Sequence, residues 1–111
     1  MKKFGLSVAT NFDDNLLDAV SVYPVTEIFG KLPSDRVGGG RASFTLPPLS
    51  RRRFERHVEK ARLKGIGFNY LLNPACMDNR EYTRRGQREI EGLLEYIEDA
   101  GVSAVTISLP F

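Results

Sequence analysis

Two stretches of the 111-residue chain combine residue types that could do chemistry. In one, Asn73, Asp78 and Glu81 lie close together and could present amide and carboxylate oxygens to a substrate or a metal. Glu81 is the strongest candidate there for general acid–base work. The plain structural account is that Asn73-Pro74 is turn chemistry, and that Asp78 to Thr83 is an acidic approach to a helix N-terminus. With no histidine nearby in sequence, a metal hydrolase is not indicated and no metal ligand is assigned. In the other stretch, Arg36 and Arg41 flank Gly38-Gly39-Gly40, whose backbone N–H groups can approach an anion closely. The pattern is neither a Walker motif nor a dinucleotide fingerprint, and a solvated loop is the competing account.

Three further features carry less. Cys76 stands where a nucleophile could, yet nothing near it in sequence identifies an activating base. His57, the sole histidine, falls outside the face marked by Phe54, Val58 and Ala61, so it is expected to be exposed and not catalytic. Arg51-Arg52-Arg53 and Arg84-Arg85 each open a helix, where cations oppose the helix dipole. That invites an anionic partner, although a solvated face is the stronger account of them.

These residues must be positioned by the elements around them. Phe4 to Ala9 alternates apolar and small residues and reads as a strand. Asn11 to Asp14 offer N-caps for a short helix with Leu16, Leu17, Val20 and Tyr23 on one face, stopped by Pro24. Val25 to Phe29 is a second strand closed by Gly30. Pro33 to Pro48 is a long irregular stretch, of the kind that usually carries function or mobility. Ser50 then caps an amphipathic helix bearing Phe54, Val58 and Ala61, stopped by Gly65. Ile66 to Leu72 is a third strand, ended by Asn73-Pro74. After a second loop, Ala75 to Tyr82, Thr83 caps a helix marked by Ile90, Leu93, Leu94, Ile97 and Ala100 and stopped by Gly101. Val102 to Leu109 is a fourth strand, broken by Pro110.

The alternation β-α-β-α-β-α-β predicts an α/β fold with parallel strands joined by right-handed crossovers. Each βα unit takes roughly 33 residues, so eight would need on the order of 260, the size of a (β/α)8 barrel. The expected architecture over residues 1–111 is a single partial TIM-barrel domain, the first half of a barrel. A flavodoxin-like domain is the alternative, but it usually has a fifth strand. Four strands cannot close a barrel, so both sheet edges would be open to partners.

Composition narrows the function classes. With 41% hydrophobic and 27% charged residues the chain is that of an ordinary globular domain, not a disordered one. A net charge of +2 does not by itself indicate nucleic-acid or anionic-membrane binding. No apolar run approaches the roughly 18 residues of a membrane span. Met1 to Phe4 leads into no apolar segment, so no secretory signal is expected. The single cysteine excludes an internal disulfide framework and a Cys-only metal site, and fits a cytoplasmic protein.

Several stretches together resemble the collagenase-like peptidases, peptidase family U32. The first is Gly39-Gly40-Arg41-Ala42-Ser43 with Leu49-Ser50 and the helix to Lys64-Gly65-Ile66. The second is Asn69 to Asn73 running on to Asn79-Arg80-Glu81-Tyr82-Thr83-Arg84-Arg85-Gly86, and the third is Gly101-Val102-Ser103-Ala104-Val105. The resemblance covers Phe4 to Phe111 and matches only the N-terminal barrel part of larger proteins. It implies that Arg41 corresponds to a loop arginine after the second strand, and that Asn73, Glu81, Tyr82 and Thr83 correspond to the segment after the third. Some members act as proteases on collagen-like substrates. Others look like hydroxylases of RNA or quinone precursors that hold an iron–sulfur cluster, which the lone Cys76 cannot build.

In a barrel, chemistry sits on the loops at the C-terminal strand ends. The sequence therefore leads to a U32-like peptidase module in which Glu81 is catalytic and Arg36, Arg41, Asn73, Asp78 and Tyr82 contact a peptide or anionic substrate. Such a module would not be active alone, and no cofactor is identified. The alternative is a non-catalytic half-barrel, whether an inert fragment or a scaffold, whose partner is a second copy or the remainder of a larger barrel. Neither reading calls for a membrane or for nucleic acid.

Overall fold

The computed structural model describes residues 4–32, 50–72 and 83–107. Within them the order is β1 (Leu6–Ala9), α1 (Asp14–Val20), β2 (Val25–Gly30), α2 (Arg51–Leu63), β3 (Gly67–Leu72), α3 (Arg84–Asp99) and β4 (Ala104–Ile107). Each helix starts where a short polar side chain can satisfy an otherwise orphaned N–H. Asp13 accepts from Asn15 at 2.9 Å, Ser50 from Arg53 at 3.2 Å, and Thr83 from Gly86 at 2.9 Å. Gly65 (φ +75°) and Gly101 (φ +97°) turn the chain out of α2 and α3 through a backbone conformation that residues with a Cβ adopt at a cost. Ser50→Ala is expected to lower the stability of the chain by about 1 kcal/mol, read from the urea midpoint.

The strands form one sheet in the order β1-β2-β3-β4, and every pairing is parallel. Consecutive order with right-handed crossovers places all three helices on one face of the sheet. Ile28, Phe68, Tyr70 and Leu72 from the strands meet Leu17, Phe54, Val58, Ala61, Ile90 and Ile97 from the helices in one buried core. Phe54 is its centre, with Phe12, Phe68, Tyr70 and Tyr96 rings at 5.4–6.1 Å.

The half-barrel expectation agrees with this topology, and the two outer strands leave both sheet edges unpaired among the described residues. Three local expectations need correcting. Tyr23 does not share the inner face of α1; it follows the helix and is exposed. β1 starts at Leu6, where the register with β2 shifts between Leu6 and Ser7. Phe12, expected only as part of a capping stretch, is buried, because φ +63° turns its ring inward against Phe54, His57 and Phe68. That left-handed conformation is held by a hydrogen bond from its N–H to Thr10 Oγ1 (3.0 Å) and one from Arg53 to its carbonyl (3.4 Å).

Candidate functional site

Side chains alternate across a strand, so the residues between the core positions point to the sheet face that the three helices do not cover. On that face Ser7, Glu27, Asn69 and Thr106 form a hydrogen-bonded row that crosses all four strands. Ser7 Oγ donates to Glu27 Oε1 at 2.7 Å, and Asn69 Nδ2 donates to the same oxygen at 3.4 Å. Thr106 Oγ1 donates to Asn69 Oδ1 at 2.8 Å. The two contacts of Asn69 fix its amide orientation, because the reverse would set its oxygen against a carboxylate. Every donor in the row is thus aimed toward Glu27. Its Oε2 carries no hydrogen bond among the described residues, which leaves a fixed, accepting oxygen for amide or hydroxyl hydrogens of a ligand.

A second polar cluster lies at the C-terminal end of β1. Thr10 Oγ1 is 2.7 Å from His57 Nε2, His57 Nδ1 is 2.9 Å from Asp14 Oδ1, and Lys60 Nζ donates to Asp14 Oδ2 at 2.7 Å. Hydroxyl, imidazole and carboxylate stand in the order of a nucleophilic triad. Access decides against that chemistry, since Thr10 is 1% and His57 0% exposed. With its Nδ1–H donating to Asp14, the ring presents Nε2 to the Thr10 hydroxyl, whose oxygen also accepts the Phe12 N–H. The cluster is a buried brace that ties the end of β1 and the start of α1 to α2. A second ion pair, Lys64 with Asp18 at 2.8 Å, extends the α1–α2 contact.

His57 is therefore not exposed, as its sequence neighbours suggested. It lies three residues after Phe54 and four before Ala61, which puts it on the buried face of α2. Partial burial pushes the Asp14 carboxyl up, but hydrogen bonds and charge from Lys60 and His57 outweigh it and hold the group below 3.8. A carboxyl depressed in the folded state stabilises above its unfolded value, and that contribution is lost as pH falls through the folded value. Urea midpoints are accordingly expected to drop as pH is taken below 3.8, and Asp14→Asn to flatten that acid limb while lowering the neutral plateau.

Arg36, Arg41, Asn73, Asp78, Glu81, Tyr82 and Cys76 lie outside the described residues. In chain order they follow β2 and β3. Sequence reasoning passed over Ser7, Glu27, Asn69 and Thr106. The signal was present: a charged residue inside Val25–Gly30 and an amide inside Gly67–Leu72 interrupt otherwise apolar strands, and such residues need a reason. Among the described residues, no three His, Cys, Asp or Glu side chains gather as a metal site, and no helix is long and apolar enough to cross a membrane.

No family model matches the chain, and no curated protein matches it by sequence. Solved structures do match it. The U32 peptidase Mk0906 superposes with a TM-score of 0.67 at 17% identity, over 99% of this chain and 44% of that one. CpGH84B superposes with a TM-score of 0.60 at 15% identity, over 93% of this chain and 20% of that one. The chain thus spans less than half the length of either. Similarity at these identities speaks to the fold, and two differently named proteins share it. The chain has an α/β fold of four parallel strands and three helices, corresponding to part of a TIM-barrel-like peptidase structure.

Proposed function

We propose that this chain is the N-terminal portion of a U32-like peptidase barrel, a single partial domain that binds peptide and does not turn it over alone. The observation that carries this reading is the row Ser7–Glu27–Asn69–Thr106 on the sheet face corresponding to a barrel interior. A peptide backbone offers the N–H donors that Glu27 Oε2 can accept and the carbonyls that the second Nδ2 hydrogen of Asn69 can meet. In this reading the segment after β2 supplies Arg36 and Arg41 to the substrate's carboxylate or carbonyl groups, and the segment after β3 supplies the rest. Asn73, Asp78 and Tyr82 line its path, and Glu81 is the acid–base residue. The superposition on the U32 peptidase supports the assignment through fold alone. A chain with one cysteine suits the reducing cytoplasm.

The test is titration of the chain with gelatin-derived peptides, followed by amide chemical shifts. Shifts at Ser7, Glu27, Asn69 and Thr106 without hydrolysis are expected, and Glu27→Gln is expected to weaken binding about tenfold by removing a charged acceptor. Absence of binding, or shifts confined to the helices, would contradict the reading. The edges at β1 and β4, unpaired among the described residues, favour a second reading, a scaffold that completes its sheet by association.

A further inference from the structure

The association reading leaves the partner open, and the two edges of the sheet name one. We infer that two copies of this chain close on each other, β4 of each beside β1 of the other, into one eight-stranded parallel ring. The inference rests on the association reading and adds its occupant, its register and its contacts.

The register supports this closure. In an eight-stranded TIM-type barrel the stagger totals about eight residues, so it averages about one per strand and about four per half. The polar row measures the stagger in this chain. Ser7 pairs directly with Glu27. Glu27 pairs with Gly67, and the row continues two residues on at Asn69. Asn69 pairs with Ala104, and the row again continues two residues on at Thr106. The climb across the sheet is therefore already that of a half-barrel. The next strand must meet Thr106 without further offset, which places the partner's β1 with its Ser7 level with Thr106. The row then runs on into the second copy instead of stopping at an edge.

The outer surfaces at the two edges are complementary as well. At the β1 edge Phe4 is 80% and Leu6 37% exposed. Leu6 pairs with Val25, which packs against the core, so it belongs to the helix-bearing side. At the β4 edge, α3 and β4 leave an open groove of about 350 Å³ whose apolar wall is Leu94, Ile97, Val102, Ala104 and Val105, with Glu98 and Ser103 as its polar rim. Pairing Thr106 with the partner's Ser7 brings the partner's Leu6 beside Val105, at the mouth of this groove. Among the described residues, apolar side chains without cover on one edge thus meet a largely apolar recess without an occupant on the other. Because β1 and β4 run the same way, one two-fold axis generates both seams, and no strand edge remains.

The experiment has two arms, both on the 111-residue chain. Sedimentation equilibrium is expected to give twice the 12.5 kDa chain mass, and Leu6→Arg to raise the dimer dissociation constant at least tenfold with helix content unchanged. In a Cys76→Ser background, chains carrying Ser7→Cys are mixed with chains carrying Thr106→Cys and oxidised. The mixture is expected to cross-link, and either preparation alone to cross-link far less. A dimer without the 7–106 cross-link would overturn this pairing while leaving association intact. A monomer at high micromolar concentration would overturn both, and an open-ended series of larger species would overturn closure.

Discussion

Phe54→Ala is expected to remove about 3–5 kcal/mol of stability, the usual cost of truncating a buried aromatic with its cavity left behind. Small domains have about 5–15 kcal/mol in all, so a large share of the molecules should be unfolded under mild conditions. Phe54 touches the α1-side turn, the sheet and α3 together, through Phe12, Phe68, Tyr70 and Tyr96. None of those rings can move in to fill the space without leaving another contact. Phe54→Leu keeps most of the volume and is expected to cost about 1–2 kcal/mol. Thermal unfolding followed by circular dichroism separates the two. Equal small losses for both would mean that the helices are not packed on the sheet as described.

His57→Ala is expected to have the next largest effect, about 2–4 kcal/mol, combining a cavity with the loss of one buried and one part-buried hydrogen bond. Thr10 would keep the Phe12 N–H, and Asp14 would keep Lys60, but the link between β1 and α2 would be gone. The effect reaches beyond stability, since Phe12 is held in its left-handed conformation partly through Thr10 and packs on the His57 ring at 5.3 Å. Amide exchange is expected to speed up over 10–20 more than in β3. An exposed histidine would leave the denaturation curve unchanged, so the measurement distinguishes a brace from a solvated side chain.

How much of this was legible in the sequence depends on which physical signal each feature leaves. Helix starts at Asp13, Ser50 and Thr83 and stops at Gly65 and Gly101 were readable, because caps and left-handed glycines are local requirements. Parallel pairing followed from strict alternation of elements, and the consecutive strand order from the barrel-sized βα repeat. His57 was misjudged because the apolar face of α2 was traced through Phe54, Val58 and Ala61, and a polar residue at the same angle was left off it. Its partners Thr10 and Asp14 are more than 40 residues away in sequence, a distance no periodicity reports. Glu27 and Asn69 were hidden differently. Their strands were recognised, but the polar residue within each was not weighed as a question about which face it occupies. The sequence candidates Glu81, Arg36, Arg41, Asn73, Asp78 and Tyr82 lie outside the described residues, so their roles stand as proposals.

The central claim is that four consecutive strands lie side by side, all parallel, with one polar row on the face away from the helices. Inter-strand nuclear Overhauser contacts among backbone amide and Hα protons test it most directly. The account predicts the slanted, evenly spaced amide contacts of parallel pairing, linking Val8 with Ile28, Ile28 with Phe68 and Tyr70 with Val105. Close Hα–Hα contacts between neighbouring strands, the mark of antiparallel pairing, would contradict it, as would any strand order other than that of the chain.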